Sequence, residues 1–251
     1  MQLQIEIIQS LLFPLLFLLV ILGPFIKKKL VERKIVREKR QLRRFITSIL
    51  RVEGSVSYDY LAGAGLPEAP TASVIQELIE SGLLISRRDD GAITYSLSES
   101  EKITWDDYVM KGGIQGITVD SVNQAKSITH DIIKYCQSNG IPVKHALMPR
   151  MIQFFISPMR YGQSPPFTLG WIDGSPTISV FIRDPNTDPS KDSCPGWKWN
   201  DSGMYWYLKT EKPDFDVEGI GPVLKRAYEL ASSKRAKSFS MWSKGGSASK
   251  S

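Results

Sequence analysis

Residues 83–98, LLISRRDDGAITYSLS, decide how the N-terminal half of the chain is read. Two runs rich in β-branched and aromatic residues flank Asp89-Asp90-Gly91, the composition of two antiparallel strands joined by a tight turn. Immediately upstream, Val74, Ile75, Leu78 and Ile79 recur at helical spacing in a run that starts at Thr71, and Gly82 stands at the expected C-terminal position. Pro67 and Pro70 read as a connection before that helix. In the segment SYDYLAGAG, Ser57 caps a helical turn that Gly63 and Gly65 end. Earlier still, Leu42, Phe45, Ile46 and Ile49 form an apolar stripe, with Arg43, Arg44 and Arg51 on other faces of a helix that ends at Gly54. The order is three helices and a hairpin.

Leu61-Ala62, the Val74-Ile75/Leu78-Ile79 helix, the Gly82-Leu83-Leu84-Ile85 exit and the Tyr95-x-Leu97 return strand are placed as in winged-helix domains, and residues 39–100 resemble that superfamily. The resemblance implies a fold and leaves function open. DNA-binding members lay the third helix in the major groove and the wing on the backbone, and both need cations. This sequence departs from that pattern. Residues 71–82 contain Glu77 and Glu80 and no basic side chain, and residues 52–100 hold two basic against eight acidic residues, a net −6. An acidic third helix repels phosphate, so use as a protein-interaction module fits better, with Glu77 and Glu80 in the partner surface. The nucleic-acid alternative rests on Arg43, Arg44 and Arg51 of the first helix and Arg87 and Arg88 of the hairpin.

At the N-terminus, Ile7 to Ile26 contains no charged side chain and includes LLFPLLFLLVILGPFI. Twenty helical residues rise about 30 Å, the thickness of a bilayer's hydrocarbon core, so residues 1–26 are expected to form a single transmembrane anchor. No basic region precedes the run and no small-residue cleavage site follows it, which argues against a removed signal peptide. Lys27, Lys28 and Lys29 follow directly and predict an N-terminus outside with a cytoplasmic body. Residues 27–38 form a polybasic segment in which Lys27, Lys28, Lys29, Arg33, Lys34 and Arg37 are expected to face anionic lipid. Lys27 to Arg51 carries eleven basic residues against Glu32 and Glu38, a net +9, whereas the whole chain is +6. The excess of positive charge is therefore a property of this segment rather than of the chain at large.

Residues 101–117 are polar and contain Gly112, Gly113 and Gly116, and they read as a linker. A second domain is expected over 118–232. It opens with a helix capped by Asp120, lined by Val122, Ala125, Ile128, Ile132, Ile133 and Tyr135, and ended by Gly140. Residues 141–166, around MIQFFI, are open between strand and helix. FTLGWID and ISVFIRD read as a hairpin turning at Gly174-Ser175-Pro176, and GWKWNDSGMYWYLKT as a second, turning at Asn200-Asp201-Ser202-Gly203. Alternation places Trp197 and Trp199 on one face, and Tyr205 and Tyr207 opposite Trp206. A last helix is expected from Gly221-Pro222, followed by a basic flexible tail over 233–251. The fold class expected is α+β: a single transmembrane helix, a winged-helix-like domain, then a small antiparallel sheet with flanking helices.

Trp197, Trp199 and Trp206 serve either to stabilise their hairpin or as a partner surface. Asp173, Asp184, Asp201, Asp214 and Asp216 are the candidate acids and His145 the candidate base, but no phosphate loop, nucleophile elbow or HExxH accompanies them. With two well-separated cysteines, Cys136 and Cys194, and only His130 and His145, no metal or other cofactor is expected. The leading expectation is a membrane-anchored adaptor or accessory subunit that binds a protein partner. A nucleic-acid-binding regulator is the alternative, and an enzyme built on the C-terminal domain is the third class.

Overall fold

The computed structural model describes residues 2–89, 91–110, 116–182, 196–200, 202, 205–210 and 215–245, with backbone alone for 2–21, 23, 24, 89, 110 and 234–245. Helix α1 (Gln2–Glu53) is continuous over 52 residues, about 78 Å at 1.5 Å per residue. Gly54, at φ +77°, stops it. Strand β1 (Ser55–Ser57), helix α2 (Tyr58–Gly63), helix α3 (Glu68–Glu80) and strands β2 (Leu84–Asp89) and β3 (Ala92–Leu97) follow. The three strands form one sheet in the order β1-β3-β2.

The hairpin is antiparallel, as expected, with Leu84 opposite Leu97 and Asp89 opposite Ala92. The Ser57 hydroxyl accepts from the Tyr60 N–H, capping α2 as its position predicted. Helix α3 begins three residues before Thr71, because Pro70 falls in the first turn, where no backbone N–H is needed. Strand β1, too short to be recognised by alternation, pairs Val56 with Tyr95. Leu42, Ile46, Ile49 and Leu50 of α1 pack with Val56, Leu61, Val74, Ile75, Leu78, Leu84 and Leu97 into one core.

The expected transmembrane anchor is not supported. Among the described residues no helix is long and apolar enough to cross a membrane. The side chains of Ile7–Ile26, apart from Leu22, Phe25 and Ile26, lie outside the described residues. The described part of α1 is charged from Lys27 onward and then enters the folded core at Leu42, so this helix belongs to the architecture of the N-terminal unit. The single-pass topology, the membrane location and the cytoplasmic placement of the body fall with the span. Lys27, Lys28, Lys29, Arg33, Lys34 and Arg37 stand as an exposed basic stretch of α1.

Residues 101–117 are more than a connection, because they contain helix α4 (Trp105–Met110). The Asp107 carboxylate accepts from the Thr104 N–H, and the Tyr108 hydroxyl donates to the carbonyls of Met148 and Met151 at 2.6 and 3.0 Å. Helix α5 (Val119–Ser138) is capped by Thr118, not Asp120, through a reciprocal bond with Ser121. Six strands follow: β4 (Val143–Met148), β5 (Met151–Ile156), β6 (Phe167–Ile172), β7 (Ser175–Val180), β8 (Lys198–Asn200) and β9 (Tyr205–Lys209). They make a second antiparallel sheet in the order β4-β5-β6-β7-β9-β8. The β6–β7 turn is Asp173-Gly174, both at positive φ, earlier than the Gly174-Ser175-Pro176 turn expected.

Helix α6 (Val217–Gly245) starts ahead of Gly221-Pro222, with the Asp216 carboxylate accepting from the Glu218 N–H, and it continues past Ser233. Gly221 is required where α5 crosses α6, since a Cβ there would overlap the Tyr135 ring. Helices α4, α5 and α6 cover one face of the six-stranded sheet, burying Val122, Ile128, Ile132, Phe154, Phe167, Ile178, Val223 and Leu224. The opposite face, at its β4–β5 end, supplies Ala146 and Phe155 to the N-terminal core. The molecule is α+β, and the two sheets are joined through that shared core.

Candidate functional site

The α3 stripe Val74, Ile75 and Leu78 is buried, so Glu68, Ser73, Gln76, Glu77 and Glu80 face outward. Lys39 of α1 reaches across to this face. Its ammonium lies 2.5 Å from a Glu77 oxygen and 3.3 Å from the Ser73 hydroxyl. The bond from Lys39 holds the Glu77 carboxyl below its ordinary pKa, opposed by desolvation and helped by the charge of Lys39, the Ser73 hydroxyl and the charge of Arg43. Glu80 accepts from the Gln76 amide at 2.8 Å. The outer face of α3 is thus acidic and partly neutralised from within the chain.

Arg43 and Arg44 of α1 and Arg87 and Arg88 of β2 are exposed, but Arg51 is not part of that surface. Its guanidinium is largely enclosed at the joint with the six-stranded sheet, 4.0 Å from Glu101 and 3.8 Å from the Met148 sulfur. Desolvation lowers its pKa against the opposing pull of Glu101 and Tyr108. Nearby, Lys144 of β4 pairs with Glu53 at 2.6 Å, Arg160 donates to the Gly63 carbonyl, and the Tyr161 N–H donates to the Ala64 carbonyl. Burial and the bond to Glu53 push the Tyr60 hydroxyl up to about 12. These contacts are why Arg51 braces the joint between the units; its place on the apolar helix's flank gave no sign of that partner.

The tryptophans lie on the helix-covered face. Trp197 and Trp206 are buried, Trp199 is half-buried, and the Trp199 and Trp206 rings are 5.4 Å apart across the β8–β9 pair. Their alternation is as expected, but burial in the core of the six-stranded sheet makes Trp197 and Trp206 core residues instead of an open partner surface. The other face carries Tyr205 and Tyr207, and a row in register from Gln153 through Thr168, Ser179 and Tyr207 to Lys198. Asp173 is paired with Lys209 at 2.7 Å at the exposed turn, and Asp216 caps α6. Asp184, Asp201, Asp214 and Cys194 lie outside the described residues.

His145 is in register with Phe154, and Phe154 with Phe167. Asp173 follows Phe167 by six residues along β6 and its turn, about 20 Å at strand rise. His145 and Asp173 therefore form no common acid–base pair. Desolvation lowers the His145 pKa, and raises that of the buried Cys136 thiol to about 12, which leaves the thiol protonated and unreactive. An open cleft of about 470 Å³ lies between Thr118, Asp120, Ser121 and Gln124 at the start of α5 and the Gly174-Ser175-Pro176 segment. The capping box already uses the Ser121 N–H, and Asp120 places negative charge at the mouth. Among the described residues no group of three or more His, Cys, Asp or Glu is placed to hold a metal ion.

Compared with protein families, curated proteins and solved structures, the chain matches none. Among the described residues, surfaces open to recognition include the acidic face of α3, the hairpin with exposed Ile85, Ile93, Arg87 and Arg88, and the exposed stretch of α1 before Leu42.

Proposed function

We propose that this chain is a protein-binding adaptor, in which a winged-helix-like N-terminal unit is used for protein interaction and the six-stranded unit supports it. The observation that carries the reading is the outward face of α3: it shows Glu68, Glu77 and Glu80 and no Lys or Arg where a DNA-reading helix would need cations. Lys39, the cation nearest that face, is already engaged by Glu77. Exposed Ile85 on the outer face of the hairpin adds an apolar contact point beside Arg87, a mixture suited to a protein interface.

The test is purification of complexes with the full chain at physiological salt after nuclease treatment. A bound protein should be retained by the native chain and released by combining Glu77→Lys with Glu80→Lys, and separately weakened by Ile85→Ser. A second reading, nucleic-acid binding, is favoured by the exposure of Arg43, Arg44, Arg87 and Arg88. In a parallel purification without nuclease, nucleic acid that co-purifies through those four arginines, and that the Glu77/Glu80 variant retains or gains, would replace the adaptor reading.

A further inference from the structure

Among the described residues, seven of the eleven large apolar side chains left exposed lie in one stretch of α1: Leu22, Phe25, Ile26, Leu30, Val31, Ile35 and Val36, each between 42% and 70% exposed. Scattered exposed apolar residues are ordinary, but a concentration on one helical arm marks an interaction surface. The pattern continues a seam already in use. Val31, Ile35, Glu38, Leu42, Phe45 and Ile49 follow alternating steps of four and three, the spacing by which one helix packs along another. From Leu42 onward that seam is filled by the N-terminal core, and at Ile35 and Val31 it is bare.

Charge selects the occupant. Lys27 to Arg44 contains ten basic residues and two acidic ones, a net +8. Lys27 and Lys34 flank the seam on one side, Glu32 and Lys39 on the other, and Lys28 occupies a seam position itself. A second copy of the arm would bring two such charges together along the contact, which disfavours self-pairing. We infer that the Leu22–Glu38 stretch of α1 is a docking arm for an acidic α-helical segment of a partner protein, packed on Val31 and Ile35 and flanked by its own carboxylates opposite Lys27 and Lys34. Phe25, Ile26, Leu30 and Val36, on the remaining faces, extend the apolar contact around the arm. This inference rests on the adaptor reading and names the chemistry of the partner. It uses residues separate from α3 and the hairpin, so loss of the arm contact and failure of the adaptor reading are told apart by their variants.

The experiment titrates the full chain into a labelled helical peptide with leucine and isoleucine along its seam and glutamate at the flanking positions. The same peptide with lysine at those positions, phosphatidylserine-containing vesicles and a DNA duplex are run in parallel. The glutamate peptide should bind, more weakly as salt rises, and Val31→Ser with Ile35→Ser should weaken it about tenfold, roughly 1.4 kcal/mol. Both positions are exposed, so circular dichroism and the melting temperature should stay unchanged. Equal binding of the lysine peptide, or no binding of the glutamate peptide, would overturn the inference. So would preference for vesicles or duplex over the peptide, or a self-associated chain that the double substitution dissociates.

Discussion

The two halves of α1 are built from similar residues and do opposite things. Between Leu42 and Leu50 its apolar side chains are at most 1% exposed at Leu42, Ile46, Ile49 and Leu50, whereas Val31, Ile35 and Val36 are about half exposed. Both halves place apolar residues among basic ones, Arg43 and Arg44 in the covered half and six Lys or Arg between Leu22 and Glu38, so apolar content alone does not distinguish them. What distinguishes them is the presence of α3, β1, β3 and the β4–β5 pair opposite one half only. Helical periodicity identifies a face; a covering surface makes it a core.

The largest effect that tests this contrast comes from truncation. Removing residues 1–51 deletes the four buried α1 side chains, each contributing about 1.5–3 kcal/mol of burial, which approaches the whole stability of a typical domain. The remaining chain should lose the cooperative unfolding of its N-terminal unit and expose it to limited proteolysis. Removing residues 1–38 takes away only the arm and should leave that unit folded. If the shorter deletion unfolded it as well, the arm would be part of the core.

Single substitutions should reproduce the contrast on a smaller scale. Ile46→Ala removes a fully buried side chain and should destabilise the protein by about 2–5 kcal/mol in urea unfolding. Ile35→Ala, at 48% exposure, should change stability by no more than about 0.5 kcal/mol. Equal costs at both positions would show that something covers Ile35 in the isolated chain.

The same contrast explains what could be read in advance. The Asp-Gly hairpin, the Ser57 cap and the helix stop at Gly82 are local, and local chemistry reports them directly. Helix α4 carried a local signal too, Thr104 three residues before Asp107, masked by the glycines that follow it in sequence. The transmembrane reading rested on a window of about twenty apolar residues and its Lys27–Lys29 flank, whereas no helix among the described residues is long and apolar enough to cross a membrane. The burial of Arg51, the shared core at Ala146 and Phe155, and the burial of Trp197 and Trp206 in the core of the six-stranded sheet depend on contacts across long sequence separations. No window of sequence contains both partners of such a contact. Of the partner-surface residues read from the sequence, Glu77 and Glu80 remain on a surface for the local reason that α3 buries its other stripe.

Two ion pairs extend the comparison to charge. Lys144 and Glu53 are 2.6 Å apart at the joint, with the Glu53 side chain only 16% exposed, whereas Lys34 and Glu38 are 3.9 Å apart on the arm with both side chains in solvent. Lys144→Met should lower stability by about 1 kcal/mol, because the enclosed carboxylate loses its cation. Lys34→Met should leave the unfolding midpoint where it is, since long exposed pairs contribute little. Equal midpoints for the two variants would mean that the joint is as open to water as the arm.

The smallest effect lies at the boundary between the halves, where Lys39, just past the arm, is the first half-buried side chain described in α1 and bonds to Glu77. The bond from Lys39 is the main reason the Glu77 carboxyl titrates below its ordinary pKa. A carboxyl held low in the folded state favours folding above its unfolded pKa, and that contribution is lost as pH falls through the folded value. Lys39→Met should therefore move the Glu77 carboxyl titration upward in an NMR pH series. The midpoint in urea should hardly move at neutral pH, since the pair is solvent-exposed. An unmoved Glu77 titration would show that Lys39 does not close onto α3 in solution, and would place the end of the covered half at Leu42.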